Sequence, residues 1–233
     1  MSIKQNILII GGSSGIGGAL TTILASKHNV YVASRTPEKL AGMDYTPIIL
    51  DASTQTISID ALPDRLDGFV YTPGSINLRP FKGLKEATFQ EDFNINVLGA
   101  IRNLQAVAPL LQAAEQAAVV LFSTVAVQTG MPFHASIAAA KGAIEGLTRS
   151  LAAEWAPKIR VNAIAPSLVN TPLAEKFLNN EAKVEKVNER HPLNRAGTAE
   201  EIAKAAAYLL SEDSSWMTGT VLQLDGGIGN LKV

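Results

Sequence analysis

The chain has 233 residues, 47% hydrophobic and 18% charged, which is enough for one sizeable buried core but short for two. Its formal net charge of −1, from 20 basic and 21 acidic residues, argues against nucleic acid or a membrane surface as a partner. The absence of cysteine excludes disulfides, thiolate chemistry and cysteine-ligated metals. The apolar run at 7–10 is too short for a signal peptide, and no stretch approaches membrane-spanning length. We therefore expect one cytoplasmic domain over residues 1–233, with a small-molecule partner and no metal.

Short apolar runs alternate along the chain with longer segments of helical periodicity. Such runs are typical of parallel strands buried on both faces, and the connections are long enough for right-handed helical crossovers. The pattern predicts an α/β fold: a doubly wound, Rossmann-type domain whose seven-stranded parallel sheet is flanked by helices on both faces. The predicted strands are 7–10, 30–33, 48–50, 68–71, 118–122, 161–164 and 221–224.

A glycine-rich turn follows the first predicted strand and opens a segment with helical spacing. The first turn of a helix has unpaired N–H groups and a partial positive charge, so it can bind a pyrophosphate. Glycine allows close approach of the backbone, and serine hydroxyls can add donors. An ordinary strand-to-helix turn has the same composition, so other signals must decide. The candidate phosphate-binding residues are Gly11, Ser13, Ser14, Gly15, Ile16 and Gly17.

The residues after the second predicted strand are Ser34, Arg35 and Thr36. An NAD-binding protein usually carries an acidic residue here, to accept hydrogen bonds from the ribose. Arg35 instead offers a planar fork that suits a phosphate monoester, although a solvated surface arginine would look the same. The absence of an acidic residue and the presence of Arg35 together predict that the ligand is the 2′-phosphate of NADP(H).

The next two strand ends predict the adenine side of the same pocket. They carry Asp51 and Ala52, then Thr72, Pro73 and Gly74, although these residue types are also common in turns.

Further along, the polar segment 170–195 is interrupted by prolines. We expect this segment to form a mobile flap over the ligand crevice.

Three later motifs occur in a fixed order: Asn96 in NVLG, the segment VNAIAP at 161–166, and TGTVLQLDGG at 218–227. With the glycine turn, they resemble the short-chain dehydrogenase/reductase family, of the kind that includes the ketoacyl carrier-protein reductases, over essentially the whole chain. The resemblance implies a homodimer or homotetramer that packs through helices around 89–111 and 138–155. It also implies nicotinamide-side contacts from Lys141, Pro166, Ser167, Val169 and Thr171.

The catalytic set of the family is asparagine, serine, tyrosine and lysine, with the tyrosine four residues before the lysine. Lys141 keeps its place, but Ile137 stands at the tyrosine position and Thr124 at the serine position. In the family the tyrosine hydroxyl protonates the carbonyl oxygen, which isoleucine cannot do. General acid catalysis is typically worth about 10²–10⁴ in rate, so its loss weakens carbonyl reduction without necessarily abolishing it.

Other groups can replace the tyrosine. On a continuous helix His134 shares a face with Ile137 and Lys141, and a neutral imidazole can donate a hydrogen bond to an oxyanion. The alternative is a capping or surface histidine. A relay through Asn96, water and Lys141 is a second route. Ser123 can compensate if Thr124 is misaligned, and Ser136 is the least suited. The candidate catalytic residues are Asn96, Thr124, Lys141 and His134.

Two functions follow from these observations. The first is an NADP(H)-dependent oxidoreductase that interconverts a small carbonyl compound and an alcohol through an atypical active site. The alternative is a non-catalytic NADP(H)-binding sensor or interaction protein. Four apolar residues, Phe133, Leu168, Leu173 and Phe177, predict a largely apolar substrate pocket.

Overall fold

The computed structural model describes residues 4–40 and 42–232, and parallel strands form its centre. The strands of the main sheet are β1 (Asn6–Ile10), β2 (Asn29–Ser34), β3 (Thr46–Ile49), β4 (Gly68–Tyr71), β5 (Ala117–Phe122), β6 (Ile159–Pro166) and β9 (Val221–Leu224). Their spatial order is β3-β2-β1-β4-β5-β6-β9, and every neighbouring pair is parallel. The predicted seven-stranded sheet is confirmed, with β6 extended by two residues at each end and β3 starting two residues earlier.

Helices cover both faces of this sheet. They are α1 (Gly15–Leu24), α2 (Glu86–Phe93), α3 (Gly99–Ala113), α4 (Ala126–Thr129), α5 (Ala135–Trp155), α6 (Glu175–Leu178), α7 (Glu181–Glu189) and α8 (Ala199–Leu210). A π-helical turn, Asn94–Leu98, joins α2 directly to α3. Two short parallel strands, β7 (Val169–Asn170) and β8 (Gly197–Thr198), bracket the predicted flap. Among the described residues, no helix has both the length and the apolarity to cross a bilayer.

The main sheet separates two hydrophobic cores, because alternate side chains of a strand point to opposite faces. In β1, Leu8 and Ile10 join the core that includes residues of α3 and α5, while Ile7 and Ile9 join the core that includes residues of α1 and α8. All four side chains are at most 1% exposed. Burial on both faces explains why β1 is continuously apolar rather than alternating.

Candidate active site

The order of the sheet reverses between β1 and β4, and a two-part crevice lies beyond the carboxyl ends of the strands, as expected for a doubly wound sheet. An outer groove of about 480 Å³ lies between the glycine turn and Asp51. An inner cavity of about 420 Å³ lies around Lys141 and Phe177. Gly74 and Thr171 line both, so the two parts join.

The glycine turn has the geometry that a phosphate cradle needs. Gly11 and Gly15 have φ of +81° and +54°, in the left-handed region that favours glycine. A Cβ on Gly17 would collide with the carbonyl oxygen of Gly11. The side chain of Ser14, the residue before α1, does not cap that helix. The backbone N–H groups of the first helical turn therefore suit an anionic ligand in the outer groove.

The end of β2 brings two cations to the same groove. Arg35 and Lys39 both line it, and the buried hydroxyl of Ser34 has no hydrogen-bond partner among the described residues. Lys39 was not predicted, although a second cation four residues after Arg35 was the available signal. Two cations and an unpartnered hydroxyl fit a phosphate monoester.

Asp51 lies on the other side of the outer groove. Its carboxylate accepts hydrogen bonds from the hydroxyl and the backbone N–H of Ser53, at 2.6 and 3.0 Å. These bonds, with the charge of Arg35, hold the pKa of Asp51 below its usual value. It is therefore ionised at neutral pH.

The predicted cofactor residues divide between the two parts of the crevice. Lys141, Pro166, Ser167 and Val169 line the inner cavity, while four of the predicted residues line both parts: Ile16, Thr72, Gly74 and Thr171. The outer groove is lined by Gly11, Ser13, Ser14, Gly15, Ile16, Gly17, Ser34, Arg35, Thr36, Asp51, Ala52, Thr72, Pro73 and Gly74.

Helix α5 brings the candidate catalytic side chains together. Ile137 and Lys141 lie one helical turn apart and line the inner cavity, with His134 at the start of the helix and Thr124 from the loop after β5. Lys141 is only 8% exposed, and burial lowers its pKa to about 8, against the opposing effect of Asp92. The inner cavity thus presents an ammonium with a pKa of about 8 beside the apolar side chain of Ile137.

A buried carboxylate that was not predicted from the sequence lies near this ammonium. Asp92, in the last turn of α2, is fully buried. It accepts hydrogen bonds from the hydroxyls of Ser75 and Ser136, the latter at 2.6 Å, and from the amide of Asn77 at 2.8 Å. Ser136 therefore points to Asp92 and does not line the inner cavity. The signal was an acidic residue one helical turn before Asn96.

Asn96 lies in the π-helical turn, a feature that often marks functional sites. Its Nδ2 donates to the carbonyl of Asp92 at 2.7 Å and to the hydroxyl of Ser75 at 2.9 Å, while its buried Oδ1 has no partner among the described residues. A Cβ on Gly74 would lie 3.2 Å from this Oδ1 and 3.7 Å from Lys141 Nζ. Asn96 does not line either part of the crevice. It can therefore act only as a positioning residue.

The geometry of His134 corrects the role predicted for its neutral ring. Its Nδ1 lies 2.7 Å from the carbonyl oxygen of Pro132. Because a carbonyl oxygen only accepts, Nδ1 carries the proton of the neutral imidazole and Nε2 has none. The neutral ring thus has no hydrogen left for a substrate oxygen, and only the imidazolium can donate from Nε2.

Two other expectations are wrong. The hydroxyl of Ser123 donates to the buried carboxylate of Glu145 at 2.8 Å, so it is not free to replace Thr124. Phe133 has a positive φ of 70°, is 55% exposed and does not line the inner cavity, because the backbone turns there before α5. Leu168, Leu173 and Phe177 do line it.

A second unpredicted contact lies at the edge of the inner cavity. The hydroxyl of Ser167 is 2.8 Å from Nε2 of buried His191, whose Nδ1 lies 2.6 Å from the carbonyl oxygen of Val187. Val187 can only accept, so in the neutral ring Nδ1 carries the proton and Nε2 accepts from Ser167. Among the described non-glycine residues, only Phe133 and Asn194 have positive φ, so the backbone at Ser167 is unstrained.

Comparison with known proteins identifies the family. The family model described as enoyl-(acyl carrier protein) reductase matches residues 51–229. The chain is 31% identical to the 3-oxoacyl-[acyl-carrier-protein] reductase FabG of Thermotoga maritima, over 95% of this chain and 96% of that protein. The chain belongs to the short-chain dehydrogenase/reductase family.

Solved structures of short-chain dehydrogenases/reductases have the same fold. A short-chain type dehydrogenase/reductase from Mycobacterium ulcerans superposes with a TM-score of 0.89 and 26% identity, over 98% of this chain and 91% of that one. A tyrosine-to-phenylalanine variant of ElxO with NADPH bound superposes with a TM-score of 0.87 and 27% sequence identity. This match covers 97% of this chain and 99% of the ElxO chain. The family is one of oxidoreductases that bind a nicotinamide cofactor, which agrees with the two-part crevice.

Proposed function

We propose that this chain is an NADP(H)-dependent oxidoreductase that interconverts a small carbonyl compound and an alcohol, with Lys141 as the proton donor in place of the tyrosine. The observation that carries this proposal is the position of Lys141. Its buried ammonium lies beside Gly74, where the outer groove meets the inner cavity. A proton donor is thus next to the place where cofactor and substrate would meet.

The outer groove has suitable residues for each phosphate of the cofactor. The glycine turn would hold the pyrophosphate, and Arg35, Lys39 and Ser34 would hold the 2′-phosphate. Residues 166–171 would hold the nicotinamide, which supplies or accepts the hydride when it is bound. A solved relative of similar fold, ElxO, binds NADPH, which supports the choice of phosphorylated cofactor.

Lys141 would supply the proton during carbonyl reduction. Its pKa of about 8 leaves it mostly protonated at pH 7, yet its proton is released more easily than that of an exposed lysine. Nζ donates a proton to the substrate oxygen and becomes a neutral amine. Asn96 Oδ1 would accept a hydrogen bond from a water that passes a proton from solvent to this amine. The His134 imidazolium is a second donor that the geometry permits.

Thr124 would position the substrate oxygen. Its Oγ1 accepts a hydrogen bond from the N–H of Ala126 at 3.4 Å, which leaves its own hydrogen free to donate.

Residues 170–195 would act as the flap, since α6 and α7 from this segment line the inner cavity. A stripe of partly buried residues on α5, Ala143, Leu147, Leu151 and Trp155, supports a homodimer or homotetramer.

The test is a panel of carbonyl compounds with NADPH, followed by the loss of NADPH absorbance. We expect turnover with at least one compound, and a fall of about 10²–10⁴ in Lys141→Ala. His134→Ala separates the two donors, because it lowers turnover only if the imidazolium contributes. Reduction should slow as the pH rises through about 8, where Lys141 loses its proton. Tight NADPH binding without turnover of any compound would instead favour a non-catalytic binding protein.

A further inference from the structure

The described wall of the inner cavity carries several cations and no acidic side chain. Lys141, Lys183, Lys186 and Arg190 line it together with two histidines, and no Asp or Glu is among the described residues that form its wall. The composition does not explain this, because the whole chain has 20 basic and 21 acidic residues. The charges have been separated in space, which favours an anionic ligand.

Three of these cations lie on one side of α7, two within the helix and Arg190 directly after its last residue. Lys183, Lys186 and Arg190 are spaced i, i+3, i+7, which places them on the same side of a helix. The acidic residues of α7, Glu181, Glu185 and Glu189, follow one another at intervals of four on the other side. They are exposed and do not line the inner cavity. Both sides of the helix reach solvent, but only its basic side also lines the inner cavity.

These three charges are not neutralised by the protein. The four ion pairs of the described residues lie elsewhere, and none includes Lys183, Lys186 or Arg190. The ammonium of Lys183 donates to two neutral oxygens, the carbonyl of Lys176 and the side-chain amide oxygen of Asn179, both at 2.8 Å. These bonds hold the lysine in place and leave its full charge.

Most of the remaining wall is apolar, although several serine and threonine side chains also line it. The apolar residues include Leu78, Met131, Leu173, Phe177 and Ile228. A volume of about 420 Å³ lies within the range of small-molecule sites. A complementary ligand therefore has an apolar body and a separate anionic group.

We propose that Lys183, Lys186 and Arg190 bind the anionic group, a carboxylate or a phosphate, of an amphiphilic carbonyl substrate whose carbonyl lies at Lys141. This proposal rests on the proposed function and names its substrate class. An arginine and two lysines suit either anion, since Arg190 can bind two oxygens at once and the ammonium groups act as point charges.

The test compares three ligands with the same chain: a long-chain methyl ketone with a terminal carboxylate, its uncharged methyl ester, and the matching terminal phosphate. Turnover is followed with NADPH. Binding of the same ketones to the NADP⁺-loaded protein, a pair that cannot exchange a hydride, is measured by calorimetry. We expect the ester to bind about tenfold more weakly than the better anionic ligand. A higher salt concentration should weaken the binding of the anionic ligands only. The stronger of the two anions identifies the natural group.

The variant Lys186→Met/Arg190→Met should lower the affinity for the two anionic ligands about tenfold and leave the affinity for the ester unchanged. Both side chains are exposed and make no hydrogen bond in the described part of the chain, so this variant should fold. The control is Lys158→Met/Lys204→Met, which removes two exposed cations outside the cavity, one of them paired with Glu200. It should leave the affinity for all three ligands unchanged.

Equal affinity for anion and ester would overturn the proposal, as would equal loss in the control or no binding of any ligand. Anion-selective binding without turnover would uphold the anion site while the proposed function fails. Turnover of the ester and the acid with equal efficiency would uphold the proposed function while the anion site fails.

Discussion

Ser167 Oγ donates a 2.8 Å hydrogen bond to His191 Nε2, and this bond joins the residue after β6 to the segment that follows α7. The second nitrogen of His191 donates to Val187, in α7 itself, at 2.6 Å. The predicted flap is therefore attached to the main sheet at the edge of the inner cavity. Its mobility should depend on this contact.

We predict that Ser167→Ala increases hydrogen exchange of residues 170–195. A hydrogen bond of this kind contributes about 1 kcal/mol, so opening should become roughly fivefold more frequent. Exchange is measured by mass spectrometry, with Ser150→Ala, an exposed serine on α5, as the control. Unchanged exchange in the flap would show that other contacts hold it.

Arg35 should determine the preference for the phosphorylated cofactor. Arg35→Ala should lower the affinity for NADPH about 10–100-fold and leave the affinity for NADH nearly unchanged, because a charge-assisted hydrogen bond contributes about 1.5–3 kcal/mol. Fluorescence titration of both cofactors measures this. Arg65→Ala, which removes an arginine outside the outer groove, is the control. If the unmodified protein binds NADH and NADPH equally, the assignment of the 2′-phosphate is wrong.

Lys141 should destabilise the fold at neutral pH. Burial lowers its pKa from 10.5 to about 8, so between these values the unfolded state binds more protons and stability rises with pH. Below pH 8 the folded protein carries the full cost of a buried ammonium. Lys141→Met removes that cost, and we expect it to raise the free energy of unfolding at pH 7 by about 1–3 kcal/mol.

Urea unfolding at several pH values measures this effect. The rise in stability between pH 8 and 10.5 should be present in the unmodified protein and absent from Lys141→Met. Lys158→Met, at an exposed lysine, should behave like the unmodified protein. A less stable Lys141→Met protein at pH 7 would mean that the pairing with Asp92 outweighs the cost of burial.

Ile137→Tyr should increase carbonyl reduction. Ile137 lines the inner cavity one helical turn before Lys141, so a phenol there would lie near the ammonium and could donate a proton. We expect a gain of up to about 10²–10⁴ in kcat, the usual contribution of general acid catalysis. Ile137→Phe adds the same ring without the hydroxyl and is the matched control. Equal rates in both variants would show that the proton is not limiting.

The sequence predicted the seven strands and the residues at their carboxyl ends. Each strand is a local apolar run, and parallel strands with helical crossovers bring their carboxyl ends to one edge. For this reason the glycine turn, Arg35 and Asp51 could be assigned to one groove without coordinates. The positions of His134, Ile137 and Lys141 also followed from the helical repeat alone.

The sequence could not predict contacts between segments that are distant along the chain. Asp92 of α2 contacts Ser75, which follows β4, and Ser136 of α5, while His191 of the flap contacts Ser167. The tautomer of His134 depends on a carbonyl two residues away, which the helical repeat does not specify.

The sequence by itself determined the fold and the position of the crevice, because periodicity, strand composition and the glycine turn are local properties of the chain. Only the tertiary structure decided which charges enter that crevice. The basic side of α7 lines the inner cavity together with residues from distant parts of the chain, and the burial of Lys141 depends on the elements that surround it. Desolvation and charge pairing depend on distance in space, and a periodic pattern in the sequence does not specify that distance.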